Sequence, residues 1–382
     1  MAKIFPLSEF NSLRTPFYFY DLPLLDQTLA AAKEAAGSPL YKIHYAVKAN
    51  ANPLLLKRIS GAGFGADCVS GGEIQQALEN GFAPESVVFA GVGKSDAEIE
   101  LALEAGIGCF NVESRPELDV IAEIASRMGK VARVAFRVNP DVDPHTHKYI
   151  STGLKENKFG ISPELLAPLV ETAVSNPSLD FVGLHFHIGS QITEMGPYEL
   201  LCERINALQD EWNAKGITFK TINVGGGLGI DYQNPDTNPV PDFRGYFDVF
   251  RRGLKLREGQ ELHFELGRSL VAQCGSLITR VLYVKEGLSR KFAIVDAGMS
   301  DLIRPALYQA YHKIENISAP DAPEQAYDVV GPICESSDRF AEQCMLPEVK
   351  RGDFLALRSA GAYGEVMAMN YNCRPHPSSF AL

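Results

Sequence analysis

Tyr41-Lys42-Ile43-His44-Tyr45-Ala46-Val47-Lys48-Ala49-Asn50 starts as a strand and stops at a lysine. Its first seven residues are rich in aromatic and β-branched side chains and too few for a buried helix. Strand alternation places Lys42, His44, Ala46 and Lys48 on one face. Lys48 stands where the strand stops, just before the helix-starting run Asn50-Ala51-Asn52-Pro53. An amine on an inward face is desolvated, which lowers its pKa and leaves it nucleophilic near neutrality. A Schiff-base lysine needs that property. The plainer reading, a lysine snorkelling from a strand end, applies to most lysines taken singly.

Outward from this run the pattern repeats. Strand patterns fall at Gly65–Cys68, Val87–Phe89, Cys109–Val112, Val131–Val138, Phe181–Ile188, Thr221–Val224 and Glu261–Leu266. Helical patterns separate them at Gly72–Asn80, Ser95–Ala105, Pro116–Met128, Pro163–Ser175, Pro197–Lys215 and Phe243–Leu256. Strands that alternate with helices pair in parallel, and eight of them close a barrel. The fold class is therefore α/β, a (β/α)8 barrel over residues 23–265. After Leu266 helix periodicity fades. Val271–Cys274, Ser276–Lys285, Lys291–Asp296, Tyr327–Val330 and Asp353–Leu357 are short strand patterns separated by Gly, Pro and Asp. They predict a second, all-β domain over 266–382, joined by an N-terminal strand at Pro16–Tyr20 within 1–22. Ile314–Gln325 is its most linker-like loop.

The 382 residues suit two domains, and 46% hydrophobic content is ample for their cores. A net charge of −11 without a basic cluster excludes a duplex-binding role. No apolar leader and no run of membrane-spanning length is present, so the reading is a cytoplasmic chain. Seven scattered cysteines without a Cys-x-x-Cys pair predict reduced thiols and no structural zinc. His145-Thr146-His147 reads as a polar loop rather than half of a metal site, and Trp212 as packing.

In such a barrel, chemistry gathers at the carboxyl ends of the strands. The unusual residues sit there: Lys48, Asp67, His187-Ile188-Gly189-Ser190, Gly225-Gly226-Gly227, and Glu265 followed by Gly267-Arg268. His185 and His187 share a face; His185 reads as a core histidine and His187, at the strand end, as a ring placed to stack on an aromatic ligand. Glycines after strand seven, with Gly267 and Arg268 after strand eight, lie where barrels cradle phosphate. Their spacing is wrong for a dinucleotide fingerprint. Glu265 is costly among Phe264 and Leu266 without a partner, and a protonated ring nitrogen would be one.

Amine, phosphate cradle, stacking histidine and ring-nitrogen acid together describe a pyridoxal 5′-phosphate site. The chain resembles the fold-type III, alanine-racemase-like pyridoxal-phosphate decarboxylases, and within them the branch that converts meso-2,6-diaminopimelate to L-lysine. The resemblance runs through essentially the whole chain. It rests on Tyr45-Ala46-Val47-Lys48-Ala49-Asn50, Gly65-Ala66-Asp67-Cys68-Val69-Ser70, His185-Phe186-His187-Ile188-Gly189-Ser190 and Asn223-Val224-Gly225-Gly226-Gly227. Asp296-Ala297-Gly298-Met299, Gly331-Pro332-Ile333-Cys334-Glu335-Ser336 and Gly361-Ala362-Tyr363-Gly364 continue it.

The resemblance implies that Lys48 carries the cofactor, His187 stacks on its ring and Glu265 keeps the ring nitrogen protonated. Asp67, Ser190, Gly226, Gly227, Gly267, Arg268 and Tyr363 would complete the cofactor site. Arg268, Arg304, Tyr308, Glu335 and Tyr363 would grip the far end of the substrate. Cys334, a candidate proton donor to Cα, and Glu335 would come from the second subunit of a homodimer. No metal, nucleic acid or membrane partner is implied. Arg304 distinguishes a substrate with a distal carboxylate from ornithine or arginine, whose far ends are cationic. Leu266, Ser300 and Ser337 depart from the family's usual proline, asparagine and glycine at those places, which bears on loop geometry and leaves every proposed charge in place.

Overall fold

The structure, a computed structural model, describes residues 5–143 and 158–382. His145, Thr146 and His147 lie outside the described residues. The first strand, β1 (Phe17–Tyr20), and a helix at Leu22–Ala36 precede the barrel strands. These are β2 (Tyr41–Ala46), β3 (Gly65–Cys68), β4 (Val87–Phe89), β5 (Cys109–Val112), β6 (Ala132–Arg137), β7 (Leu179–His185), β8 (Thr221–Asn223) and β9 (Glu261–Leu266). Each pairs in parallel with the next, and β9 returns to β2 to close the barrel. The closing register sets Ile43 beside Phe264 and His44 beside Glu265.

The helices between strands begin on sequence signals. Asn52 caps Pro53–Gly61 by accepting the Leu54 N–H, and Ser70 caps Gly71–Glu79 by accepting that of Glu73. Ser95 and Glu98 form a reciprocal capping box at Asp96–Ala105. Alternation along β9 sorts its side chains. Phe264 packs against the Phe243–Gly253 helix, with ring centroids 4.7 Å from Phe247, 5.3 Å from Phe250 and 5.9 Å from Tyr246. Glu265, the next residue, therefore points into the barrel. Trp212 is buried on its helix and packs near Phe219, as its periodic position predicts.

Four barrel strands differ from their sequence patterns, β6 by a single residue at each end and β8 by a single residue at one end. β2 ends at Ala46, and Val47–Ala49 form a single 3-10 turn that carries Lys48. β7 runs from Leu179 to His185 rather than from Phe181 to Ile188. Its last hydrogen bond to β8, Phe186 N–H to the Asn223 carbonyl at 2.7 Å, is where β8 turns into glycines.

The chain divides into two compact units. The barrel unit is Leu29–Gly229 with Asp242–Gly267. The other comprises the residues up to Thr28, the segment Ile230–Pro241 and Arg268–Leu382. Residues 230–241, read from the sequence as barrel, thus group with the β-rich unit. That unit holds β10 (Gly275–Glu286), β11 (Lys291–Val295), β12 (Ile314–Asn316), β13 (Glu324–Val330), β14 (Arg339–Pro347), β15 (Phe354–Leu357) and β16 (Ser378–Ala381). The sheet order is β12-β15-β10-β11-β13-β14, with β1 antiparallel to β10 and parallel to β16. Phe5, Phe10, Phe17, Phe19, Ile278 and Phe354 form a buried cluster beside it. Val271–Cys274, expected as a strand, is not one. Arg268–Val271 is a helical turn closed by the Ala272 N–H on the Arg268 carbonyl at 2.9 Å, and β10 starts at Gly275. Ile314–Gln325, expected as a loop, opens with β12 and closes in β13.

No helix among the described residues is long and apolar enough to cross a membrane. All seven cysteines are free, and no cluster among the described residues offers a metal site.

Gly183 shows how close the barrel strands come. A Cβ on it would stand 1.9 Å from the Thr221 carbonyl oxygen of β8. Gly183→Ala must push β7 from β8 and should cost about 1–3 kcal/mol, the usual range for overpacking. A urea midpoint equal to that of the unmodified chain would contradict this.

Candidate active site

The barrel interior converges on one acid. Glu265 is buried and accepts hydrogen bonds from three strands. Its Oε1 takes Asn223 Nδ2 at 2.8 Å and Asn111 Nδ2 at 3.2 Å; its Oε2 lies 3.0 Å from His185 Nε2. Burial alone would raise its pKa, but His185 and Lys48 outweigh that and hold Glu265 well below the usual carboxylate range. Glu265 is therefore charged at neutral pH. His185, read as a core histidine, is a member of this cage; Asn111 was not singled out, and Asn223 was quoted only as the start of the glycine motif, without a role.

Lys48 meets Asp67 in an ion pair. The expectation of a desolvated amine is corrected here: the Lys48 side chain is 35% exposed, while that of Asp67 is completely buried. The 3-10 turn carries Lys48 just past the end of β2, where its amine meets Asp67 and its charge acts on His187 and Glu265. Burial, with the charge of Glu265, pushes Asp67 up to about 6, against the pull of Lys48. Its Oδ1 is buried without a hydrogen-bond partner among the described residues.

The glycine turn after β8 is drawn against the same site. Gly225 N–H donates to Asn223 Oδ1 at 2.9 Å, and Gly226 N–H to His187 Nδ1 at 3.3 Å. A Cβ on Gly226 would stand 1.9 Å from the Glu265 carbonyl oxygen. Gly227, at φ 108°, combines a left-handed backbone with a Cβ position 2.7 Å from the Gly189 carbonyl. Gly267 faces the Lys48 turn, where a Cβ would meet those of Ala46 and Ala49 at 3.0 and 3.1 Å. Loss of water around His187, together with Arg137 and Lys48, lowers its pKa to about 3, leaving a neutral ring. Arg137 is itself paired with Glu113 at 2.8 Å.

The β-rich unit gathers a second set. Arg268 and Arg304 both donate to the Tyr232 hydroxyl oxygen, at 2.6 and 2.9 Å. The Arg268 guanidinium lies 4.9 Å from the Tyr363 ring centre, and that of Arg304 lies 5.1 Å from the Tyr232 ring. His312 Nε2 is 3.0 Å from Arg304 Nη1. Arg358 pairs with Asp236 and Glu315, whereas Arg304, equally buried, has no carboxylate partner among the described residues. Cys334 and Glu335 are exposed on a loop pinned by Asp338, which accepts the N–H groups of Ile333 and Met299 at 2.6 Å. Glu335 accepts from Tyr371 at 2.6 Å. Tyr232 and His312 escaped the sequence reading.

Residues 24–272 match the family of pyridoxal-dependent decarboxylases over its pyridoxal binding domain. The chain belongs to the pyridoxal-dependent decarboxylases. It is 59% identical over 381 residues to the diaminopimelate decarboxylase of Bacteroides thetaiotaomicron, covering 100% of this chain and 98% of that relative. The diaminopimelate decarboxylase of Aquifex aeolicus is 44% identical, with 94% of this chain and 85% of that relative aligned. The crystal structure of diaminopimelate decarboxylase from Helicobacter pylori complexed with L-lysine superposes at a TM-score of 0.92. It shares 42% identity and covers 98% of this chain and 93% of its own. Within the family, the chain therefore falls in the diaminopimelate decarboxylase group.

Pyridoxal 5′-phosphate is the cofactor of this enzyme. The barrel residues fit it: a reachable amine, a neutral histidine, a charged buried acid, and an Asp67 oxygen left without a donor.

Buried neutral histidines set an acid limb on stability. Burial and the adjacent His263 lower His44 from 6.5 to about 3. Below pH 6.5 the unfolded chain binds the proton first, so this contribution is present above 6.5 and is lost as pH falls toward 3. His44→Gln should make the slope of unfolding free energy against pH shallower by about 1 kcal/mol per unit between pH 6 and 4. An unchanged slope would show that His44 is not held neutral.

Proposed function

We infer that this chain is a pyridoxal 5′-phosphate-dependent carboxy-lyase that decarboxylates meso-2,6-diaminopimelate at its D-centre. The products are L-lysine and carbon dioxide, which makes this the last step of lysine biosynthesis by the diaminopimelate route. The substrate assignment is carried by Arg304, a buried guanidinium with no carboxylate partner among the described residues. An unpaired buried cation is costly, and a substrate carboxylate relieves the cost. The same charge repels the bare terminal amine of ornithine.

When bound, the cofactor supplies an electron sink for the pair left on Cα as carbon dioxide departs. Lys48 would anchor it, and Asp67 would hold that amine in place between turnovers. Glu265, kept charged by its three donors, would hold a proton on the ring nitrogen. His187 would lie against the ring, uncharged. Ser190, Gly226, Gly227, Gly267, Arg268 and Tyr363 would hold the phosphate and the cofactor's edge. Arg268, Arg304, Tyr308 and Tyr363 would hold the far end of the substrate.

The reading extends to a homodimer with shared sites, in which Cys334 and Glu335 of a second copy complete the centre. Their exposure on a pinned loop supports it. Cys334 would deliver the proton to Cα, and Glu335 would pair with the distal ammonium. A cytoplasmic location belongs to the same reading, supported by seven free thiols.

Purified protein should release carbon dioxide from meso-diaminopimelate, require pyridoxal phosphate, and leave LL-diaminopimelate, ornithine and arginine untouched. Equal release from ornithine would reject the substrate assignment. Lys48→Ala and Cys334→Ala should each be inactive, and mixing them under subunit exchange should restore roughly a quarter of the activity, the share of one intact site in mixed dimers. Mixtures without activity, from folded and exchanging parents, would argue against shared sites.

A further inference from the structure

Arg304 is held in a way that leaves only one edge of it for a ligand. Its Nη1 carries two hydrogens. One goes to the Tyr232 hydroxyl at 2.9 Å and the other to His312 Nε2 at 3.0 Å. The tautomer of His312 follows from its other contact: Nδ1 lies 2.9 Å from the Arg358 carbonyl, which can only accept. Nδ1 therefore carries the hydrogen, and Nε2 offers a lone pair to Arg304. His312 is buried, and Arg304 is 6% exposed. Nη1 is thus fully used, while Nη2 and Nε form no hydrogen bond among the described residues.

Tyr232 has a second task. Its oxygen also accepts from Arg268 Nη1 at 2.6 Å, so its two lone pairs serve two guanidinium groups at once. Like charges this close repel, and the shared oxygen keeps both in register.

We propose that Tyr232 and His312 are positioning residues for substrate specificity, which turn the Nε–Nη2 edge of Arg304 toward a ligand carboxylate. The inference rests on the proposed reaction and deepens it: the far end of the substrate is selected by an arginine whose orientation is set by two residues that need not touch the substrate. Side-on, two-point binding of a carboxylate requires that edge to be fixed. Without the hydroxyl, Arg304 keeps its charge and loses its direction.

The test uses the full chain saturated with pyridoxal phosphate and two probes. L-lysine carries the carboxylate that was distal in the substrate; cadaverine is the same molecule without it. Tyr232→Phe should weaken L-lysine binding, measured by calorimetry, by about 10- to 100-fold, the loss of a hydrogen bond to a charged group. Cadaverine binding should change by less than about threefold. With meso-diaminopimelate the KM should rise by a similar factor, while kcat stays within about threefold. His312→Leu should act in the same direction. His312→Gln, which can offer Arg304 an oxygen, should recover most of the affinity.

L-lysine binding unchanged in Tyr232→Phe would overturn the proposal, as would equal losses for both probes or a loss confined to pyridoxal phosphate affinity. If the unmodified enzyme itself fails to prefer L-lysine over cadaverine, the proposed substrate falls and this inference falls with it. If that preference stands and the variants retain it, this inference alone falls.

Discussion

A charged carboxylate inside a barrel needs donors on every side, and the placing of those donors constrains the rest of the unit. Left alone, buried Glu265 would cost several kcal/mol or take up a proton. Asn111, His185 and Asn223 prevent both outcomes from β5, β7 and β8, while Glu265 itself stands on β9. No single helix–strand unit contains the cage, so it exists only once the barrel has closed in register. A slip of one residue along β9 would exchange Glu265 with Phe264, setting an acid against the aromatic face of the Phe243–Gly253 helix. Asn223 ties this acid to the glycine turn by accepting from Gly225. The acid proposed for the ring nitrogen and the loop proposed for the phosphate thus share one amide.

The β-rich unit treats its arginines in two ways. Arg358 is neutralised by Asp236 and Glu315 and behaves as structure. Arg304 is as deeply buried but meets only neutral acceptors, Tyr232 and His312. The contrast, within one unit and at similar burial, separates a charge the fold neutralises from one it leaves without a counter-charge among the described residues, the one proposed to meet a ligand.

The alternation of strands and helices was readable because a period of two interrupted by helical runs is a local signal, and each barrel strand was placed from it. The ends of β2 and β7 were not, because hydrogen bonds to neighbouring strands decide where a strand stops. The candidate site residues Lys48, Asp67, His187 and Glu265 stood out because charge or imidazole at the end of an apolar strand is conspicuous. Asn111 gave a weaker sign, an amide in an otherwise apolar strand. His185 was assigned to packing since nothing local shows that its ring reaches β9. Tyr232 and His312 sit 80 residues apart in sequence, and their joint hold on Arg304 is a purely tertiary fact. The helical turn at Arg268–Val271 carries β-branched Val271, and there tertiary context overrode propensity.

The position of β1 has a consequence for how the chain is made. Phe17-Tyr18-Phe19-Tyr20 is wholly buried, yet its partners are β10 and β16, the latter ending one residue before the last. At about 5–20 residues per second, that aromatic segment waits roughly 20–70 s for its far neighbour to be made. Until then four sticky residues lack one neighbour and are a natural hold for a chaperone, and a stop codon ahead of β16 would strand them.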